Sequence, residues 1–231
     1  FNIVTFLSGI PIRVGYNRKW PFLLTHRLED RKYLGEKHEI EYNLDLVRLI
    51  GADTKDKSLY VPIQKQDEEF VNGIFNEFNL NKEKSLVAIH PWTSNPLKQW
   101  PVDNFIELIK RLLEKFNIKI TIIGGKENID ISNQFCQKIG NSVINLTGIF
   151  SLRQLAAFFR HCKVLISNDS GPMHLAAAVN TPVVALFRNV QGVSSKRWGP
   201  WGDGHIVIEK DRLELITVEE VLAAVKEILE G

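Results

Sequence analysis

The chain has 231 residues, 44% of them apolar and 24% charged, with a formal net charge of +2. This is the composition of a globular protein with a real core, long enough for one domain plus part of another, and the slight charge argues against nucleic acid as a partner. Two cysteines, Cys136 and Cys162, stand outside any C-x-x-C spacing, which predicts free thiols in a reducing cytoplasm rather than a disulfide framework.

The chain begins inside an apolar run, from Phe1, with no initiating Met. That reads as a fragment lacking an upstream half-domain. Residues 3–7 and 12–16 are strand-like, and the stretch 27–37 is polar. Residues 38–50 place Ile40, Leu44, Val47, Leu49 and Ile50 at roughly helical spacing, with Gly51 as the stop. The polar stretch 52–57 predicts a linker. Residues 1–56 are thus expected to be the C-terminal part of an N-terminal α/β domain, and 57–231 a second domain.

From Ser58 onward, strand-like runs at 86–89, 119–123, 143–145, 164–167, 183–187 and 206–208 alternate with helical patterns. The clearest helix follows Pro101 and aligns Phe105, Ile109, Leu112 and Phe116; Ser151 with Gln154, and Thr217 with Glu220, are capping boxes for two more. Strands alternating with helices of this length predict a doubly wound parallel sheet. Ligands of such sheets bind beyond the carboxyl ends of the strands. His90-Pro91-Trp92-Thr93, Gly124-Gly125, Leu146-Thr147-Gly148 and Asn168-Asp169-Ser170-Gly171 each follow a strand directly, so all are expected on one edge.

The most informative of these runs from Leu165 through Asn168-Asp169-Ser170-Gly171-Pro172-Met173-His174 to Ala178. Ser170 can cap the helix that follows, Gly171 lets a ligand approach the backbone, and Pro172 suits a first helical turn. A helix N-terminus facing outward there is a place for phosphate. By itself a D-S-G-P would equally describe an ordinary well-capped helix, and Met173 and His174 could be packing residues.

The longer string, continuing into Thr181-Pro182-Val183-Val184, closely resembles the donor-binding signature of the bacterial ADP-heptose:lipopolysaccharide heptosyltransferases, glycosyltransferase family 9. His90-Pro91-Trp92-Thr93-Ser94 with Lys98-Gln99-Trp100-Pro101 resembles the family's second motif. Gly124-Gly125-Lys126-Glu127 and Asn145-Leu146-Thr147-Gly148 fall where the family has its adenosine-side loops, and Arg13-Val14-Gly15-Tyr16 resembles the end of its N-terminal domain. The resemblance covers nearly the whole chain in order. It implies the GT-B architecture, with a Rossmann-like domain that binds the nucleotide-sugar donor.

On that resemblance Lys98 neutralises a diphosphate leaving group, whereas alone it would read as an exposed loop lysine. Thr93 and Ser94 either donate to phosphate oxygens or cap the following turn. Asp169 would repel a diphosphate, so it is expected to fix its loop through backbone N–H groups or to hold a sugar hydroxyl. Ser170, Gly171, Pro172, Met173 and His174 form the phosphate end, with His174 donating from its ring or simply packed. Glu127 is a candidate for the ribose hydroxyls, and Gly148 with Phe150 for an adenine slot, Phe150 equally as core. After the strand ending at Phe187 the family commonly has Gly-Pro-Thr; Arg188-Asn189-Val190 stands here instead. The family's base is a carboxylate in an early glycine-rich loop, which nothing in residues 1–51 matches, so no base is assigned.

The implied function is inverting transfer of heptose from ADP-heptose to the lipopolysaccharide inner core, without cofactor or metal. The six histidines show no zinc-ligand spacing. No apolar run reaches the length of a membrane span, and the first residues lack the charged head and cleavage site of a signal peptide. A cytoplasmic enzyme in peripheral contact with the inner face of the inner membrane is the expectation. Alternatives are another GT-B enzyme using a UDP-sugar, or a nucleotide-binding module without catalysis. Residues 1–231 alone are expected to bind ADP but not to transfer.

Overall fold

The computed structural model describes residues 2–80 and 85–231. In chain order, the first 57 residues form α1 (Asn2–Leu7), β1 (Val14–Tyr16), β2 (His26–Leu28) and α2 (Glu39–Arg48). There follow α3 (Lys65–Glu77), β3 (Ser85–His90), α4 (Val102–Lys115), β4 (Ile118–Ile122), α5 (Ile129–Ile139), β5 (Val143–Asn145) and α6 (Leu152–Phe159). The chain ends with β6 (Val164–Asn168), α7 (Gly171–Ala178), β7 (Val183–Arg188), α8 (Ser195–Trp198), β8 (Ile206–Lys210) and α9 (Val218–Glu230).

Two compact units emerge, one of Phe1–Lys57 with Val190–Trp198, the other of Ser58–Asn189 with Gly199–Gly231. The polar stretch at 52–57 ends at a unit boundary, and Val190–Trp198, which lies within the expected second domain, clusters with the first unit. In the first unit β1 and β2 pair in parallel. The apolar run at 3–7, expected as a strand, is the helix α1, and Phe1 lies outside the described residues. Five residues are too few for periodicity to separate the two forms. His38 caps α2, its Nδ1 accepting from the Ile40 N–H at 3.2 Å.

Val190–Trp198 is held within this unit by Arg197, which donates to Glu39 at 2.8 Å and to the Lys32 and Gly192 carbonyls at 2.9 and 2.8 Å. Buried Lys32 shares Glu39 and lies 4.6 Å from the Tyr16 ring centroid. Gly192 has φ of 79°, and a Cβ there would run into the Tyr33 carbonyl, so only glycine fits.

The second unit is a six-stranded, all-parallel sheet of order β5-β4-β3-β6-β7-β8. The predicted strand runs all fall on its strands, save that Ile123 of the 119–123 run lies one residue past β4. Its central strands β3 and β6 are buried nearly throughout, as a sheet covered on both faces requires. Val87, Ile89, Ile120, Ile122, Ile166 and Val184 join α4, α5 and α9 in one apolar core. Phe105, Ile109 and Leu112 of the expected stripe are fully buried in it. Both foreseen capping boxes are made, at Ser151 with Gln154 and at Thr217 with Glu220. Cys136 and Cys162 are free, and burial pushes both thiols above their ordinary range, that of Cys136 to about 11.

Strand order reverses between β3 and β6: the chain moves outward from β3 through β4 to β5, then returns to lay β6 on the other side of β3. In open parallel sheets this reversal opens a crevice at the carboxyl ends, because the two connections leave in opposite directions.

Candidate functional site

A cleft of about 500 Å³ lies at that reversal, entirely within the second unit. The loops after β3, β4 and β6 supply most of its wall, and the segment leading into α6 adds Phe150 and Leu152. Thr93, Ser94, Lys98, Glu127, Asp169, Ser170, Gly171 and Pro172 of the sequence-predicted set line it together.

Three of the predicted residues do not line it. Met173 is fully buried beneath α7, because the small residues Ala176 and Ala177 let that helix sit close to the sheet. His174, also on α7, is half-buried and outside the lining. Gly148 is a turn residue at φ of 79°, and a Cβ there would press on Ile129 at 2.8 Å; it shapes the β5 exit rather than an adenine slot directly. Phe150 lines the cleft while stacking on Phe158 at 4.9 Å, so its two readings coincide.

The polar residues divide into those that fix the loops and those that face the cleft. Asn168, the last residue of β6, is fully buried. Its Nδ2 donates to the Pro91 carbonyl at 2.9 Å and its Oδ1 accepts from the Trp100 N–H at 3.0 Å. One amide thus ties both ends of the β3–α4 loop to the β6 loop. Trp100 is itself anchored, its indole donating to the Ile216 carbonyl at 3.0 Å. Between these ties Thr93 accepts from the Asn95 N–H at 3.2 Å, which settles the loop's turn and leaves the Thr93 hydroxyl proton to donate.

Lys98 pairs with Asp169 across the cleft, Nζ to Oδ2 at 2.5 Å. Asp169 was expected to bond backbone N–H groups or a sugar hydroxyl; the partner the structure gives it is Lys98. The carboxylate neutralises and aims the ammonium, whose other protons remain available. Glu127 folds its carboxylate against Gly125, whose loop is closed by Asn128 accepting from the Gly125 N–H at 3.2 Å. Gly124 has a packing reason of its own, since a Cβ would meet Trp92 at 2.8 Å.

Ser170 occupies the N-cap position of α7, as expected, but its side chain makes no capping bond. Its hydroxyl lies 3.0 Å from His90 Nδ1 and 3.0 Å from the Ser167 hydroxyl. Neither His90 nor Asn168 stood among the sequence-predicted site residues. The signal that could have found them is a polar side chain at the last position of an otherwise apolar strand, which must find a partner when buried.

Burial lowers the His90 imidazole from its ordinary 6.5 to about 4. Between those values the unfolded chain binds a proton that the folded chain does not, so stability is fully present above 6.5 and is lost as pH falls toward 4. The expected loss is on the order of 2–3 kcal/mol. His205 is shifted downward too, first by its own burial. The measurement is therefore a comparison of urea unfolding at about pH 7 and about pH 4.5 in the parent and in His90→Asn. Equal losses in both proteins would show that His90 is not the responsible group.

Among the described residues there is no cluster of His, Cys, Asp and Glu able to hold a metal ion, and no helix is long and apolar enough to cross a membrane.

The chain is 27% identical over 196 residues to lipopolysaccharide heptosyltransferase 2 of Escherichia coli, a match covering 80% of this chain and 56% of the relative. It is 28% identical over 169 residues to lipopolysaccharide heptosyltransferase 1 of Campylobacter coli, covering 67% of this chain and 49% of the relative. The chain thus spans about half the length of each. Among solved structures, a family 9 glycosyltransferase of Veillonella parvula superposes with a TM-score of 0.87 at 22% identity, over 100% of this chain and 71% of its own. Escherichia coli ADP-heptose LPS heptosyltransferase II superposes with a TM-score of 0.78 at 23% identity, over 99% and 73%. These likenesses are of fold. The family model for glycosyltransferase family 9 (heptosyltransferase) matches residues 2–224, and the chain belongs to that family.

Proposed function

We propose that this chain is the donor-binding part of an enzyme that moves heptose from ADP-heptose to the lipopolysaccharide inner core, with inversion at the anomeric carbon. The observation that carries this reading is the convergence of Lys98, Thr93 and the N-terminus of α7 on one cleft at the strand reversal. A diphosphate set there meets an ammonium, a hydroxyl proton and the first-turn N–H groups, which take no side-chain cap from Ser170. When the bond from the anomeric carbon to the diphosphate oxygen breaks, its electron pair leaves with ADP. Lys98 and the helix terminus stabilise that charge without reorganising. The acceptor hydroxyl attacks from the opposite face, which gives inversion. We assign no base for its proton among residues 1–231.

Titration calorimetry with ADP and with UDP tests the donor, and tighter binding of UDP would overturn the adenine assignment. Gly171 tests the position of the diphosphate. A Cβ added there meets no heavy atom within 4 Å, so Gly171→Ala is expected to leave the melting temperature unchanged. The new methyl stands over the first turn of α7 and is expected to weaken ADP binding about tenfold, or about 1.4 kcal/mol. Unchanged affinity would move the diphosphate away from this helix.

A further inference from the structure

We propose that His90 contacts the sugar that the bound nucleotide carries, its Nε2 standing in the cleft wall as a fixed acceptor for a sugar hydroxyl. The identity of the sugar rests on the reading above; the acceptor state of Nε2 does not.

His90 ends β3 and is only 6% exposed, yet it lines the cleft. Its Nδ1 lies 3.0 Å from the Ser170 hydroxyl. Its Nε2 has no partner among the described residues, and it is not one of their buried unpartnered atoms, which are Trp92 Nε1 and His205 Nδ1. The small exposed part of the ring therefore includes Nε2, and it opens on the cleft.

Which ring nitrogen carries the proton follows from counting protons. A carbonyl oxygen can only accept, so Ser167 gives its one proton to the Asn168 carbonyl at 2.8 Å. In the Ser167–Ser170 contact at 3.0 Å it is then Ser170 that donates. Its own proton placed there, Ser170 can only accept from His90, so Nδ1 carries the ring proton and Nε2 keeps a bare lone pair. His90 and Ser167 are register partners across β3 and β6, so the sheet itself fixes this chain of bonds. Burial keeps the ring neutral, since it lowers the imidazole to about 4.

A lone pair in the wall selects what can stand against it. A phosphate oxygen offers only lone pairs of its own and is repelled, whereas a sugar hydroxyl has a proton to give. Of the two sugars in a nucleotide-sugar, the ribose is expected beside Glu127, after β4. His90 leans through Ser170 toward β6, on the opposite side of β3. The hydroxyl therefore belongs to the sugar being transferred. An imidazole lowered to about 4 is too weak a base to remove that proton at neutral pH, so His90 holds the hydroxyl without becoming the missing base.

The test uses two variants that separate the ends of the ring, because asparagine reproduces Nδ1 and glutamine reproduces Nε2. His90→Asn keeps a donor for Ser170 and loses the acceptor. It is expected to bind ADP within about twofold of the parent and ADP-heptose about fivefold more weakly, by calorimetry. His90→Gln returns an amide oxygen to the cleft wall and is expected to bind ADP-heptose within about twofold of the parent. Thermal melting checks that both variants fold. Nitrogen NMR of histidine-labelled protein, with the His90 signals identified by their loss in His90→Asn, is expected to show the proton on Nδ1 both without ligand and with ADP-heptose. A proton on Nε2 in either state would overturn the proposal, as would a loss in His90→Asn shared equally by ADP and ADP-heptose. UDP-glucose binding more tightly than ADP-heptose, with the same dependence on His90, would instead sink the adenine reading and leave the hydroxyl contact standing.

Discussion

Replacing Lys98 by alanine is expected to weaken ADP binding about 100-fold. A charge-assisted bond to a diphosphate is worth roughly 1.5–3 kcal/mol, which by itself gives one to two orders of magnitude. The structure places the effect at the upper end. Lys98 is paired with Asp169 at 2.5 Å, and the Asp169 side chain is only 9% exposed. Truncating the lysine leaves that carboxylate unpaired beside the proposed diphosphate, adding repulsion to the lost attraction. The sign of the second effect is testable. Asp169→Asn introduced into Lys98→Ala is expected to recover about tenfold in affinity, because it removes the uncompensated charge. The Lys98 effect should also shrink with added salt, since its side chain is 32% exposed and screened accordingly. Calorimetry showing unchanged ADP affinity in Lys98→Ala would return Lys98 to the status of a loop lysine.

Asn168→Ala is expected to cost about 1–3 kcal/mol in stability and to damage nucleotide binding as well. The Trp100 N–H donates to the Asn168 amide oxygen, while the Pro91 carbonyl accepts from the Asn168 amide and also from the Gln99 amide. Leaving the buried Trp100 N–H unsatisfied costs about 1–3 kcal/mol, while the Pro91 carbonyl keeps the Gln99 amide. The carbonyl and the N–H bracket the loop that carries Thr93, Ser94 and Lys98, so the loop loses its register along with its stability. Asn168→Asp keeps the acceptor but cannot donate to Pro91, and places a charge at a fully buried position. It is expected to be at least as harmful. Urea unfolding that gave a loss below about 1 kcal/mol for either variant would mean that the Trp100 anchor alone holds the loop.

The alternation of strand and helix, the capping boxes at Ser151 and Thr217, and the placement of His90, Gly124 and Asn168 at strand ends were all legible in the chain. Each depends on neighbours a few residues apart, and the period of apolar residues reports it directly. That these strand ends share one edge also followed, because parallel pairing points every carboxyl end the same way. What the chain by itself could not decide is which loops meet. His90 and Ser170 are 80 positions apart, and Lys98 and Asp169 nearly as far; both pairs exist because β6 returns to lie beside β3. Strand order is set by how helices pack on both faces of the sheet, a many-body outcome that no local pattern encodes. The same cause explains Ser170. Its N-cap position was readable, but its hydroxyl goes to His90 and Ser167, partners that only the assembled sheet supplies. Likewise Arg197 binds Glu39 across 158 positions, so the chain's return at 190–198 to the first unit was decided by tertiary contacts and left no mark in local periodicity.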